Sequence, residues 1–426
     1  YIVAQGARRG QRVLTADVCG AYLLAEAPES EQPIYFTGPR GQKEYAYNSQ
    51  GIKEEVVYLL LKNMYGHPGA GYAWWKMVDT KLKSMGFVPN PMDPCAYKKG
   101  TVELALFVDD FILTGSDEEL EQFKTELNNT YGDCGFKNAE VFLGVNISRV
   151  STNAYHMCMA SYITTVYEKY RKEYSVRPKN QPMPTGYCVN KSDCPPPGTK
   201  IKEPYRQLLG SLGYCQMTAW PASHAQSQLA RVQNNPGIEH WNRLLDLLGY
   251  LYKHKNVGIT YRAGPVERQI DLLKKKNKQG TRETVKVTTN VFPDDQLYVY
   301  SDSSHADIDK DGICDCESCV KITGISYEEN DSYKTSLAYV VCYANAPLQW
   351  KSSVTKGRQH HSTESEILAA AEAAKETQYL ISFIECWTGE GTQCPVPLYT
   401  DNAAAMKICI HKFGPTKKAR HINKKR

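Results

Sequence analysis

The sequence predicts a multidomain protein of α/β and α+β type. Three observations point there. At 426 residues the chain exceeds one core of ordinary size, so two or three domains are the default. From Arg12 to Ile147, strand-like and helix-like patterns alternate. Beyond two polar breaks, the segment opening on "QLYVYSD" runs strand, irregular insert, two strands, helix, strand and helix. That is the order of a mixed sheet covered by helices.

Each element has its own signal. "RVLTAD" reads as a strand ending at Asp17, and "AGYAWWKMVDTKLKSMG" as a helix closed by Gly86. "VELALFV" and "FILTG" read as two strands with almost nothing between them, hence a tight hairpin. In "SDEELEQFKTELNNTYG", Ser116 and Glu119 form a capping-box pattern, and Leu120, Phe123 and Leu127 recur at helical spacing. "FKNAEVFLGVNISRV" reads as further strand. A Pro-rich stretch, 177–203, reads as a linker. Three helices follow in 204–262, and the charged stretch 263–296 reads as a second linker. Segment 297–426 is then the last domain, with "STESEILAAAEAAKETQYLISFIECW" as its long helix.

Composition narrows the function classes. No apolar run approaches the ~20 residues of a membrane helix, and "YIVAQGARRGQRVL" has no sustained apolar stretch of a signal peptide. With no secretory signal, the fourteen cysteines read as reduced thiols of an intracellular protein. A net charge of +5 permits a polyanionic partner without demanding one. The basic runs "LLKKKNK" and "KKARHINKKR" read as solvated loops. The chain starts at Tyr1 rather than Met, and so reads as a piece of something longer.

One stretch resists the packing account. "LALFVDDFILTG" sets Asp109 and Asp110 between two apolar, β-branched runs, where Asp is depleted. Turn formation alone explains such a pair. The other account is chemical. Carboxylates from several elements can converge on hard divalent cations, and two such ions ~4 Å apart serve phosphoryl transfer. Asp17, ending another strand, is a third candidate.

"FVDD" resembles the aromatic-x-Asp-Asp hairpin of the reverse transcriptase palm, and "TADVCGAYL" the first palm motif, with Asp17 followed by the aromatic Tyr22. Further stretches are similar, in order, to copia-type LTR retrotransposon Pol. They are "LLLKNMYGHPGAGYAWW", "GFVPNPMDPCAY", "EVFLGVNI", "PYRQLLGSLGYCQMTAWPASHA", "EHWNRLLDLLGYLYKH", "STESEILAAAEAAKE" and "LYTDNAAAMKI". The resemblance implies a palm at 1–176 and a helical thumb or connection region at 204–262, followed by an RNase H-like mixed-sheet domain at 297–426. It implies RNA- or DNA-templated DNA synthesis and cleavage of RNA in RNA–DNA hybrids. Two Mg2+ per site, with Mn2+ as alternative, would be held by Asp17 and Asp109, with Asp110 in support, and by Asp302, Glu364 and Asp401. Tyr22 would be a steric gate against a ribose 2′-hydroxyl, and Phe107 would lie beside the substrate. The implied partners are an RNA template, a DNA primer, RNA–DNA hybrid, dNTPs and other Pol and Gag products, with no membrane. The implied location is a cytoplasmic virus-like particle with later nuclear access.

The sequence departs from that pattern in places. The likeness starts just before the first palm motif, so the fingers segment is expected to be missing. Gly69 and Tyr72 replace the family's Gln and Arg, Gly20 replaces a polar residue, and Asn423 stands where an acid is usual. In the insert "DIDKDGICDCESC", Asp307, Asp309, Asp311 and Gly312 match the start of an EF-hand loop, but Glu317 misses the final position by one place. The expectation there is an irregular surface insert. A catalytically inactive or domesticated remnant that binds nucleic acid is the alternative reading, and a nuclease that keeps its palm as scaffold is a third.

Overall fold

The computed structural model describes residues 1–26, 33–184, 187, 189, 193–196, 199–264, 269–276, 282–288, 293–304, 335–355, 362–388 and 395–410. The Cys-rich insert 307–319 and Asn423 lie outside the described residues. The chain divides into two compact units. One comprises residues 2 and 12–139, the other residues 1, 3–11 and 140–426.

The chain enters through helix α1 (Ile2–Arg9), whose bulk belongs to the second unit. The first unit is built on a six-stranded sheet. Its strands are β1 (Arg12–Asp17), β6 (Val88–Asn90), β7 (Asp93–Lys99), β8 (Val102–Phe107), β9 (Asp110–Gly115) and β10 (Lys137–Asn138), ordered β10-β1-β9-β8-β7-β6. Every pairing in it is antiparallel. The middle strand β9 is buried along almost its whole length, as its unbroken apolar run requires. Between β1 and β6 come the short helix α2 (Ala21–Leu24) and two small ribbons. The ribbons pair β2 (Tyr35–Thr37) with β5 (Val57–Leu59), and β3 (Tyr45–Tyr47) with β4 (Lys53–Glu55). Helices α3 (Ala70–Ser84) and α4 (Asp117–Tyr131) supply the rest of the core. α3 buries Ala70, Trp74, Val78 and Leu82, four residues apart and hence on one face. α4 buries Leu120, Phe123 and Leu127, the three residues its sequence singles out. The Ser116 side chain caps α4 by accepting the Glu119 backbone N–H.

In the second unit, β11 (Val141–Phe142), β12 (Val145–Ser151), β13 (Ala154–Cys158) and β14 (Ile259–Arg262) form an antiparallel sheet. Four helices accompany it: α5 (Ala160–Tyr174), α6 (Tyr205–Tyr214), α7 (Ser223–Ala230) and α8 (Ile238–Lys253). The apolar spacing of α8 is core spacing, because Trp241, Leu244, Leu247, Leu248 and Leu251 are all buried. The charged stretch expected as a linker instead holds a hairpin, β15 (Gln269–Lys276) paired with β16 (Arg282–Thr288). Backbone pairing over residues 269–276 and 282–288 stands there despite the loop-like composition.

The last sheet is mixed, ordered β19-β18-β17-β20. It contains β17 (Tyr298–Ser304), β18 (Ser336–Tyr343), β19 (Ala346–Val354) and β20 (Leu398–Tyr399). β17–β18 and β18–β19 are antiparallel, while β17–β20 is parallel. The helix Ser362–Thr388 connects β19 to β20, and Ala403–Ile410 follows. No described helix is long and apolar enough to cross a membrane.

Candidate functional sites

In the first unit, Asp17 ends β1, and its Cα partner across the sheet is Asp110, the first residue of β9. Asp110 also pairs with Phe107, the last residue of β8. Between them Val108 and Asp109 make a two-residue turn. Val108 has φ 58° while Asp109 is not in the left-handed region. That leaves φ positive at the first central position alone, a place that favours glycine. A β-branched residue there is strained, by about 1–3 kcal/mol. The Asp109 carbonyl accepts the Val18 N–H at 3.2 Å, tying the turn to the chain just past β1.

Backbone pairing therefore brings Asp17, Asp109 and Asp110 to one end of neighbouring strands. Burial pushes the Asp110 carboxyl up, the charges of Asp109 and Asp17 add to that, and Lys137 offsets part of it. The ligand atoms of these three do not close into one cluster within 4.8 Å.

Tyr22 lies in α2, with its ring centroid 5.1 Å from that of Tyr65 at 52°. Gly20, just before this helix, has φ 67°, a conformation the usual polar residue adopts less readily. Phe107 is 55% exposed beside the turn. Gly69 is the N-cap residue of α3, and Tyr72 is exposed with its ring 5.7 Å from Trp75.

The second unit holds the carboxylate group that does close. Ligand atoms of Asp302, Glu366 and Asp401 all lie within 4.8 Å of one another. Asp302 is on β17 and Asp401 follows β20, and the parallel pairing sets both at the same level along the two neighbouring strands, toward their C-terminal ends. Glu366 comes from the start of the helix Ser362–Thr388 and is 5% exposed. Its Oε1 accepts the Ser303 N–H at 3.2 Å and the Ser303 hydroxyl at 2.8 Å, and its Oε2 accepts the Thr400 hydroxyl at 3.3 Å. Asp302 Oδ1 accepts the Ser303 N–H at 2.9 Å. Ser303 and Thr400, the neighbours of Asp302 and Asp401, thus aim the helix acid.

This corrects one expectation. Glu364 is buried but is not in the cluster, and Glu366 takes that place. Residues two apart on a helix point about 200° apart, so only one of the pair can face the strand ends. "STESE" offers both at once, and the sequence holds no signal that separates them without the helix's orientation. Three anionic oxygens gathered this closely suit a hard divalent cation such as Mg2+ or Mn2+.

The family profile described as reverse transcriptase (RNA-dependent DNA polymerase) matches residues 1–183. Over most of its length the chain is similar to Pol polyproteins of transposons. It is 25% identical over 381 residues to the retrovirus-related Pol polyprotein from transposon TNT 1-94 of Nicotiana tabacum, covering 87% of this chain and 24% of that protein. It is 26% identical over 366 residues to the Pol polyprotein from transposon RE1 of Arabidopsis thaliana, covering 84% and 21%. The transposon Ty5-1 protein of Saccharomyces cerevisiae is 25% identical over 369 residues, covering 84% of this chain and 99% of that protein. The chain thus spans about a quarter or less of the plant polyproteins.

Proposed function

We propose that this chain is a retrotransposon reverse transcriptase with a second, RNase H-type nuclease site. In the first unit, Asp17 and Asp109 hold the catalytic cations with Asp110 in support. Tyr22 excludes the ribose 2′-hydroxyl of an incoming nucleotide by shape, and Phe107 lies beside the bound substrate. In the second unit, Asp302, Glu366 and Asp401 hold cations against the RNA strand of an RNA–DNA hybrid. Paired Mg2+ ions, with Mn2+ as substitute, supply charge neutralisation and an activated attacking oxygen for both phosphoryl transfers. The protein's part is to fix the carboxylates, as Ser303 and Thr400 do for Glu366. Template RNA, primer DNA, dNTPs and other products of the same element are the partners. A cytoplasmic virus-like particle with later nuclear access is the setting.

The observation that carries the nuclease half is the 4.8 Å cluster. Two observations favour a second reading, a nuclease whose palm is only scaffold. The palm aspartates do not close into such a cluster, and Gly69 replaces the family's Gln.

Two assays on the purified chain in Mg2+ separate the readings. Hybrid cleavage lost in Asp302→Asn and Glu366→Gln, together with primer extension lost in Asp109→Asn, supports both activities. Cleavage without extension supports the nuclease reading. Salt-sensitive hybrid binding with neither activity supports the inactive remnant.

A further inference from the structure

The turn that presents Asp109 is strained and exposed. Val108 sits at φ 58° and is 40% exposed, so its own side chain supplies little packing to hold that form. What holds it comes from beneath. Trp74 on α3 is 1% exposed, and its Nε1–H donates to the Val108 carbonyl at 2.6 Å.

That carbonyl is mechanically significant. The C=O of Val108 and the N–H of Asp109 belong to one rigid peptide plane. Fixing the carbonyl fixes the plane, and with it the direction from which the Asp109 side chain starts. The other face of the turn is held by the Val18 N–H on the Asp109 carbonyl. Two bonds on consecutive peptides thus fix both peptide planes around Asp109, and the first of them, on the Val108 carbonyl, holds the C-terminal side of the left-handed Val108. Tryptophan joins a large apolar ring to an N–H that donates and does not accept. The Trp74 ring is fixed in turn by Tyr131 of α4, edge-on at 5.5 Å, and by its place in the α3 face that buries Ala70, Val78 and Leu82.

We propose that Trp74 is a positioning residue of the palm, clamping the Val108 carbonyl so that Asp109 and Asp110 keep one orientation toward Asp17. The role in catalysis rests on the polymerase reading above, whereas the clamp itself does not.

The test uses the full chain labelled with 15N. In the wild type, the Trp74 indole proton exchanges at least ~100-fold more slowly than that of the exposed Trp220. Trp74→Phe keeps a ring and removes the donor. It speeds exchange of the Val18 amide at least ~10-fold, and lowers the primer-extension kcat at least ~10-fold with the dNTP KM within about twofold. Adding Val108→Gly, which accepts positive φ without strain, recovers part of both losses. Mere loss of packing in the core would not be recovered in that way.

Trp74 indole exchange as fast as that of Trp220 overturns the clamp, and needs no variant to fold. So does a folded Trp74→Phe whose Val18 exchange is unchanged. A wild type that extends no primer in Mg2+ or Mn2+ sinks the polymerase reading instead, and the two exchange measurements still decide the clamp.

Discussion

The Cα of Asp17 lies directly opposite the Cα of Asp110 in the antiparallel pairing of β1 with β9. This register follows from the hydrophobic pattern of both strands. A slip of one residue would turn Leu113 and Phe111, both fully buried, toward the other face of the sheet. The position of the acids is therefore inherited from core packing.

That proximity has a pH consequence. Burial, then Asp109, then Asp17 raise the Asp110 carboxyl above its ordinary value. A raised carboxyl favours its protonated form in the folded state. Its contribution is fully present below the ordinary carboxylate range and is lost as pH rises through the raised value. At neutral pH without cations, ionised Asp110 is destabilising. Asp110→Asn in EDTA is expected to raise the melting temperature at pH 7 by about 1–2 °C, a small gain because Asp110 is only partly buried and its charge is partly screened. The difference should vanish when the pH falls below the carboxylate range. A variant melting lower than wild type at pH 7 would show that the charge is instead paired.

The two glutamates of "STESE" separate cleanly by experiment. Glu366→Gln removes a charge from the cluster but keeps the side chain's shape and one amide oxygen, which can accept from Ser303 or from Thr400. Hybrid cleavage in Mg2+ is expected to fall at least about 100-fold, with folding retained. Glu364→Gln lies outside the cluster and is expected to lower cleavage less than about tenfold. Equal losses in both variants, with equal melting temperatures, would contradict the assignment to Glu366.

How far the sequence carries the fold depends on how local each signal is. The β8–β9 hairpin, α4 and its Ser116 cap, and α6 to α8 are fixed by periodicity and turn chemistry within a few residues of each other. The structure finds them where the patterns place them. Helix α1 is different. Ala4, Gln5 and Ala7 are fully buried, yet "IVAQGARR" carries glycine and paired arginines, and its helical state depends on residues far along the chain. The β15–β16 hairpin was hidden by lysines for a similar reason. Among the candidate acids, Asp17 ends a strand and Asp109 sits in a turn, as their patterns predict, whereas Asp302 lies within β17 and Asp401 just past β20. Glu366 is not legible, because choosing it over Glu364 needs the rotation of a helix that tertiary packing alone sets.

The cap of α4 supplies a local stability test. The Glu119 carboxylate accepts the Thr101 N–H at 2.8 Å and also the Thr101 hydroxyl. The Thr101 hydroxyl bond, ahead of the Thr101 backbone and Ser116 bonds, lowers the Glu119 carboxyl below its ordinary value. Its contribution is present above the ordinary carboxylate range and is lost as pH falls through the lowered value. Ser116→Ala, which removes the acceptor for the Glu119 N–H, is expected to cost about 1 kcal/mol in urea unfolding. Glu119→Gln should flatten the acid limb of the stability profile. An unchanged acid limb would show that Glu119 is not differentially bound in the folded state.

Helix α1 makes the most distant prediction. Arg8 donates to the Tyr343 hydroxyl at 2.8 Å and to Asp294 at 3.3 Å, and lies 3.5 Å from Asp295. Its guanidinium also faces the Tyr343 ring at 5.3 Å. All of these residues belong to the second unit, far from α1 in sequence. Arg8→Met keeps much of the side-chain length and removes every donor. It leaves Asp294, which is 22% exposed at its side chain, without this partner. A loss of about 1–3 kcal/mol is expected. Because α1 packs with the second unit, the loss should fall on amides of β17 and β18, while β8 and β9 keep their exchange protection. Equal loss of protection in β8 and β9 would mean that Arg8 stabilises the chain as one cooperative whole, and would remove the grounds for grouping α1 with residues 140 onward.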